Sequence, residues 1–255
     1  MTAGGSPRPA RRRRRRILAW TLGAVAGAVV LAVAGVVIWS QVGVYRAEPG
    51  PVEAVREDSA ITVTDGAAGI VLTPADGGSG EGLVFIPGAK VDPWAYAPTL
   101  AGAVAEDGLT VVITRPWLGV AFFDLRPLST FTGLAPDVSS WAVGGHSLGG
   151  VRACQLATEA NALVLFASYC ANDLGDSGLP VVSVSGSEDG LSTPEKIADA
   201  AGELPADAVF VEIPGASHAS FGAYGPQDGD GSPTISDAAM AAALTDALAD
   251  FLPAG

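Results

Sequence analysis

The longest unbroken apolar stretch in the chain is residues 17–39, 23 positions without a charge. As a helix rising 1.5 Å per residue it reaches across a hydrocarbon core of about 30 Å. Trp20 and Trp39 stand near its ends, where indole rings favour the water–lipid boundary. Beyond it the apolar residues come in short bursts between polar segments. Residues 60–64 and 69–73 predict a hairpin across Asp65-Gly66, and 83–86, 110–114, 141–144, 162–167, 181–185 and 208–213 predict further strands. Helices are predicted over 94–106, 148–159, 194–201 and 236–252. The strands are continuous apolar runs rather than alternating ones, the pattern of a sheet covered on both faces. Strands that alternate with helices imply parallel crossovers, hence a three-layer α/β domain with a mostly parallel central sheet.

The chain therefore divides into a basic tail (1–16), a transmembrane helix (17–39), a linker (40–58, with the breakers Glu48-Pro49-Gly50-Pro51) and one globular domain (59–255). Neither an internal repeat nor a second domain is evident. Gly23 and Gly27 make a GxxxG pair, a weak signal in a helix so rich in Gly and Ala.

Charge orients this arrangement. Arg8 and Arg11 to Arg16 account for seven of the 14 basic residues, and all 27 acidic residues follow them. A basic cluster before the apolar run stays cytoplasmic, which places the domain outside the cell membrane. The run exceeds the 7–15 residues of a cleavable signal core, so a retained anchor is the reading. Signal cleavage with secretion, or twin-arginine export, is the alternative. Past Arg16 the chain has 7 basic against 27 acidic residues, formally −20. Such a surface excludes a nucleic-acid partner, which needs Lys and Arg against phosphates.

Two histidines and two cysteines build no metal site, and neither metal nor organic cofactor is expected. Cys154 and Cys170 can pair if the domain lies outside the cytoplasm; buried free thiols are the alternative.

Candidate chemistry centres on Gly145-His146-Ser147-Leu148-Gly149. In a chain with 33 glycines the G-x-S-x-G pattern alone says little. Its context says more, because it joins a predicted strand directly to a predicted helix. A turn that tight holds the serine in a strained conformation and needs small neighbours, and the helix behind it offers free N–H groups. The competing interpretation is a Gly-rich turn with a capping serine.

A serine hydroxyl needs a base. His146 points away from Ser147 on such an elbow, so packing or a hydrogen bond is its expected role. His218 follows the last strand and is the base candidate. The acid that orients it is Asp189, just past the strand at 181–185, with Glu188 and Asp173 as alternatives. The oxyanion donors expected are the N–H groups of Leu148, after the nucleophile, and Ala89, in Pro87-Gly88-Ala89-Lys90.

These segments carry a family resemblance. The stretches are Phe85 to Asp92, Trp141 to Gly150, Gly186-Ser187-Glu188-Asp189-Gly190, and His218 to Gly222 with Tyr224-Gly225-Pro226-Gln227 and Gly229-Asp230-Gly231. They resemble the small bacterial dienelactone-hydrolase-like members of the α/β-hydrolase superfamily, over residues 60–252. The resemblance implies the α/β-hydrolase fold, a triad of Ser147, Asp189 and His218, and the Ala89 loop as part of the oxyanion hole. It specifies no substrate. Dienelactone hydrolases use a cysteine nucleophile; here the position is Ser147, and neither cysteine stands on the elbow. No long lid fits between Arg115 and Ser139. Trp117, Phe122, Phe123 and Phe131 in that interval line an acyl pocket or pack in the core. Asp228 and Asp230 resemble part of a calcium loop but lack its terminal Glu, so a polar turn is expected.

The expectation is a membrane-anchored serine hydrolase of a small ester or acyl substrate, with membrane lipid around its N-terminal helix. A non-catalytic tethered binding protein on the same scaffold is the rival. The sequence specifies no oligomeric state.

Overall fold

The computed structural model describes residues 9–252, and side chains from residue 13 onward. Arg8 and the side chains of Arg11 and Arg12, part of the expected basic tail, lie outside the described residues. The chain forms two units, 1–42 and 43–255. The first contains helix α1 (Pro9–Gln41). Its stretch Arg13–Gln41 is long and apolar enough to cross a membrane, a test that signal sequences near the N-terminus also pass.

The second unit begins with helix α2 (Pro49–Glu57), where a linker with breakers is expected. Proline breaks a helix interior but suits its first turn, where the missing N–H is not needed. Val52 and Val55 of α2 are buried in the core.

Eight strands follow: β1 (Ile61–Asp65), β2 (Gly69–Pro74), β3 (Glu81–Ile86), β4 (Thr110–Thr114), β5 (Ser140–His146), β6 (Ala162–Phe166), β7 (Val181–Gly186) and β8 (Val209–Ile213). They form one sheet in the order β1-β2-β4-β3-β5-β6-β7-β8. The β1–β2 pair is antiparallel, as the expected hairpin requires; β2–β4 is antiparallel as well, and the remaining pairs are parallel. The helices between and after them are α3 (Ala97–Ala105), α4 (Ser129–Thr132), α5 (Leu148–Leu156), α6 (Pro194–Asp199) and α7 (Asp237–Phe251).

Strand side chains divide by parity. Leu83 and Phe85, Val111 and Ile113, Val164 and Phe166 join the core that includes α3 and α7. Their neighbours Val84 and Ile86, Val112, Leu163 and Leu165 join the opposite core, which includes α5. Successive side chains of a strand point to opposite faces, so continuous apolar runs serve a sheet buried on both sides. Thus the strands found in the sequence follow from the layers around them.

Strand β3 lies between β4, the strand that follows it, and β5. The order reverses there. In open α/β sheets such a switch point opens a crevice at the carboxyl ends of the strands. The loops of Ala89 and Ser147 leave those two ends.

A disulfide joins Cys154 in α5 to Cys170 in the loop after β6, with Cα atoms 5.6 Å apart. Replacing both cysteines by alanine removes a loop constraint of 16 residues and is expected to cost about 3 kcal/mol. Urea unfolding of the oxidised protein and the double variant measures the difference; equal midpoints would show that the bond constrains nothing.

Candidate active site

Ser147 separates β5 from α5 with φ 52° and ψ −123°, a conformation L-residues rarely adopt. The sharp reversal presses strand, helix and the β3 loop together. A Cβ on Gly145 would lie 2.5 Å from the Gly149 backbone and 2.7 Å from the Ile86 carbonyl, and one on Gly149 would collide with the Ile86 and Pro87 carbonyls. Glycine at both positions is therefore what lets α5 begin against the Pro87–Lys90 loop. The Ser147 backbone is itself fastened. Its N–H donates to the Phe166 carbonyl (3.0 Å), and its carbonyl accepts from Ser168 Oγ (2.7 Å). Fixed hydrogen bonds of this kind hold a strained residue in place.

Among the three carboxylates considered, Asp189 meets the histidine. Asp189 Oδ2 lies 2.8 Å from His218 Nδ1, with both side chains buried. Its other oxygen accepts from the Leu191 and Ser192 N–H groups at 2.8 and 2.7 Å. One carboxylate oxygen is thus committed to the backbone, and the other is left for the imidazole. Glu188 and Asp173 are exposed and bond locally, to the Ser187 hydroxyl and the Gly175 N–H. No hydrogen bond joins the Ser147 hydroxyl to His218 in this structure. The ring of His146, the residue before Ser147, has its centroid 4.5 Å from that of His218.

His146 packs and hydrogen-bonds, as expected. Gly88 N–H donates to Tyr96 Oη (3.0 Å), and Tyr96 Oη is 2.9 Å from His146 Nδ1. Burial pushes the Tyr96 phenol up, against the smaller opposite effect of the Gly88 N–H, so it keeps its proton. With the phenol oxygen accepting from Gly88, its O–H is directed at His146 Nδ1, which accepts it. Burial first, and then the neighbouring His218, hold His146 well below the ordinary imidazole pKa, so it stays neutral. The pair thereby ties the Ala89 loop to the Ser147 turn.

Lys90 N–H, on the other side of Ala89, donates to the Gly119 carbonyl (2.7 Å). The Ala89 and Leu148 N–H groups have no acceptor among the described residues. The Leu148 N–H belongs to the first turn of α5, where the helix dipole favours an anion.

Asp230 is the residue that sequence reasoning missed. The turn expected there is a clamp. Asp230 Oδ1 accepts from the Gly190, His218 and Gly231 N–H groups (3.1, 3.0 and 2.7 Å), and Oδ2 from Ala219 N–H (2.8 Å). It binds the loop of Asp189 to the loop of His218. Partial burial raises its pKa, but the amides of Ala219, Gly190 and His218 outweigh this, and the net shift is downward. A depressed carboxylate pKa stabilises the fold above the unfolded-state value and loses that contribution as pH falls through the folded one. Asp230→Asn puts an amide donor against one of these N–H groups and is expected to cost about 2 kcal/mol at neutral pH. The deficit should shrink as pH falls below the ordinary carboxylate range, where the native carboxylate protonates as well. Thermal melts across that range check it; a deficit independent of pH would show that the charge contributes nothing.

Aromatic residues of the 115–139 interval divide. Phe131 is buried in the core, while Trp117, Phe122 and Phe123 are exposed on the surface.

The Alpha/beta hydrolase family model matches residues 82–242, well over half the chain. The chain belongs to the alpha/beta hydrolase family. Solved structures of similar fold include an α/β serine hydrolase without a lid from Xanthomonas campestris, 18% identical, with TM-score 0.52 over 78% of this chain and 97% of that one. The esterase domain of a Rhodothermus marinus protein is 16% identical, with TM-score 0.54 over 74% and 96%. No curated protein matches the chain at a significant level. Ser147 stands on the strand-to-helix turn, and Ala89, Asp189 and His218 stand in loops that follow β3, β7 and β8.

Proposed function

We propose that this chain is a membrane-anchored serine hydrolase of carboxylic esters, with its catalytic domain outside the cytoplasm. The buried Asp189–His218 bond, at the same end of the sheet as the strained Ser147 turn, is the observation that carries this reading. Asp189 holds the proton on His218 Nδ1, which leaves Nε2 unprotonated and able to accept the Ser147 proton. Ser147 Oγ attacks the ester carbonyl, and the developing oxyanion takes the N–H groups of Leu148 and Ala89. His218 then protonates the leaving alcohol, and water repeats the sequence to release the acid. A serine–histidine hydrogen bond tightens in the substrate complex, so its absence from the free site is compatible with this role.

The Arg cluster before the apolar run supports this location, as does the disulfide, since such bonds persist outside the reducing cytoplasm. The solved neighbours named above as a serine hydrolase and an esterase domain support the same chemistry.

A fluorophosphonate probe tests the proposal, because only an activated serine labels. Labelling of the full chain that disappears in Ser147→Ala is the expected result. An unlabelled, folded protein would favour the binding-protein alternative.

A further inference from the structure

Four apolar side chains stand in the open beside the site. Trp117, Phe122, Phe123 and Leu125 are 53, 43, 45 and 76% exposed, although Ala121, Leu128 and Phe131 around them are buried. Their segment is fastened at both ends. The Gly119 carbonyl holds Lys90 N–H, next to Ala89. At the other end Arg126 donates to the Arg115 carbonyl (2.8 Å), and Arg152 of α5 donates to the Arg126 carbonyl (3.3 Å). The exposed side chains therefore form a rim between the Ala89 loop and the helix behind Ser147.

The tether arrives at the same loop. Tyr45 N–H donates to the Lys90 carbonyl, and Asp92 N–H donates to the Tyr45 carbonyl, both at 2.8 Å. Glu48 N–H donates to the Ala223 carbonyl, just past His218. Helix α1 ends at Gln41, four residues before Tyr45. Four residues of extended chain span at most about 14 Å. If α1 spans the bilayer, so short a tether holds the Ala89 loop and its rim near the membrane surface.

We propose that Trp117, Phe122, Phe123 and Leu125 enter the lipid leaflet that holds the anchor, and that the site takes long-chain esters dissolved in that leaflet. The inference rests on the anchored serine-hydrolase reading. Burying one such half-exposed side chain is worth about tenfold in association.

The test uses full-length protein reconstituted in phosphatidylglycerol-containing vesicles. Hydrolysis of a fluorogenic oleate ester dissolved in the bilayer is measured beside p-nitrophenyl acetate in water. The variant carrying Phe122→Ser and Leu125→Ser is expected to lose about tenfold or more on the bilayer ester while acetate turnover stays within about twofold. Three results would overturn the proposal: no loss on the bilayer ester, an equal loss on both substrates, or wild-type protein that cleaves acetate and spares the oleate. Hydrolysis of both esters that is absent from the wild type, or that survives Ser147→Ala, sinks the serine-hydrolase reading itself, and this inference with it.

Discussion

Ser147→Ala and His218→Ala are each expected to lower kcat by on the order of 10⁶, and the double variant to be scarcely worse than either single one. Attack and proton transfer are one event. Without the hydroxyl the base has nothing to deprotonate, and without the imidazole the hydroxyl is a weak nucleophile. The second substitution then removes a part that the first has already disabled. The fold should survive in the Ser147 variant, since the amide to Phe166 and the carbonyl to Ser168 are backbone groups that alanine keeps. Single-turnover assays with a soluble ester, alongside thermal melts, separate lost chemistry from lost structure. Losses that multiply in the double variant would mean that Ser147 and His218 act in separate steps. Full activity in Ser147→Ala would remove the nucleophile from this reading altogether.

What the sequence discloses here depends on range. The strands are legible because each apolar run of five or so residues carries its own signature of a sheet covered on both faces. The Ser147 turn is legible because Gly145, Ser147 and Gly149 are close neighbours, and the backbone clash that glycine avoids is local. Helix α2 is not, since Pro49-Gly50-Pro51 looks like a stop and only the start of a helix makes it compatible. The Asp230 clamp reaches Gly190 across 40 residues, and the Gly88–Tyr96–His146 chain ties residues 50 apart. No periodicity encodes such contacts; only the assembled sheet brings their loops together. The Tyr45–Val91 bridge is hidden for the same reason, in a stretch whose composition resembles a linker. His218 and Asp189 fall between these cases. Their residue types and order after successive strands point to them, but selecting Asp189 over Glu188 and Asp173 takes the bond that the fold creates.

That selection carries the second large effect. Asp189→Asn is expected to lower kcat by on the order of 10⁴, with Glu188→Gln and Asp173→Asn near wild type. The reason lies in how the two Asp189 oxygens are used. Leu191 and Ser192 N–H groups both point at Oδ1, so an asparagine there must turn its carbonyl oxygen toward them. Its NH₂ then faces His218 Nδ1 in place of Oδ2. A donor in that position makes Nδ1 an acceptor and moves the imidazole proton to Nε2. The nitrogen that must receive the Ser147 proton already holds one, and the base is disabled with its geometry intact. The loss should therefore fall on kcat, with the melting temperature changed far less than a buried charge left unpaired would change it. Rates and melts of the three variants decide the matter. If Asp173→Asn is the damaging substitution and Asp189→Asn is silent, the acid acts from the loop after β6, and the bond seen between Asp189 and His218 is structural.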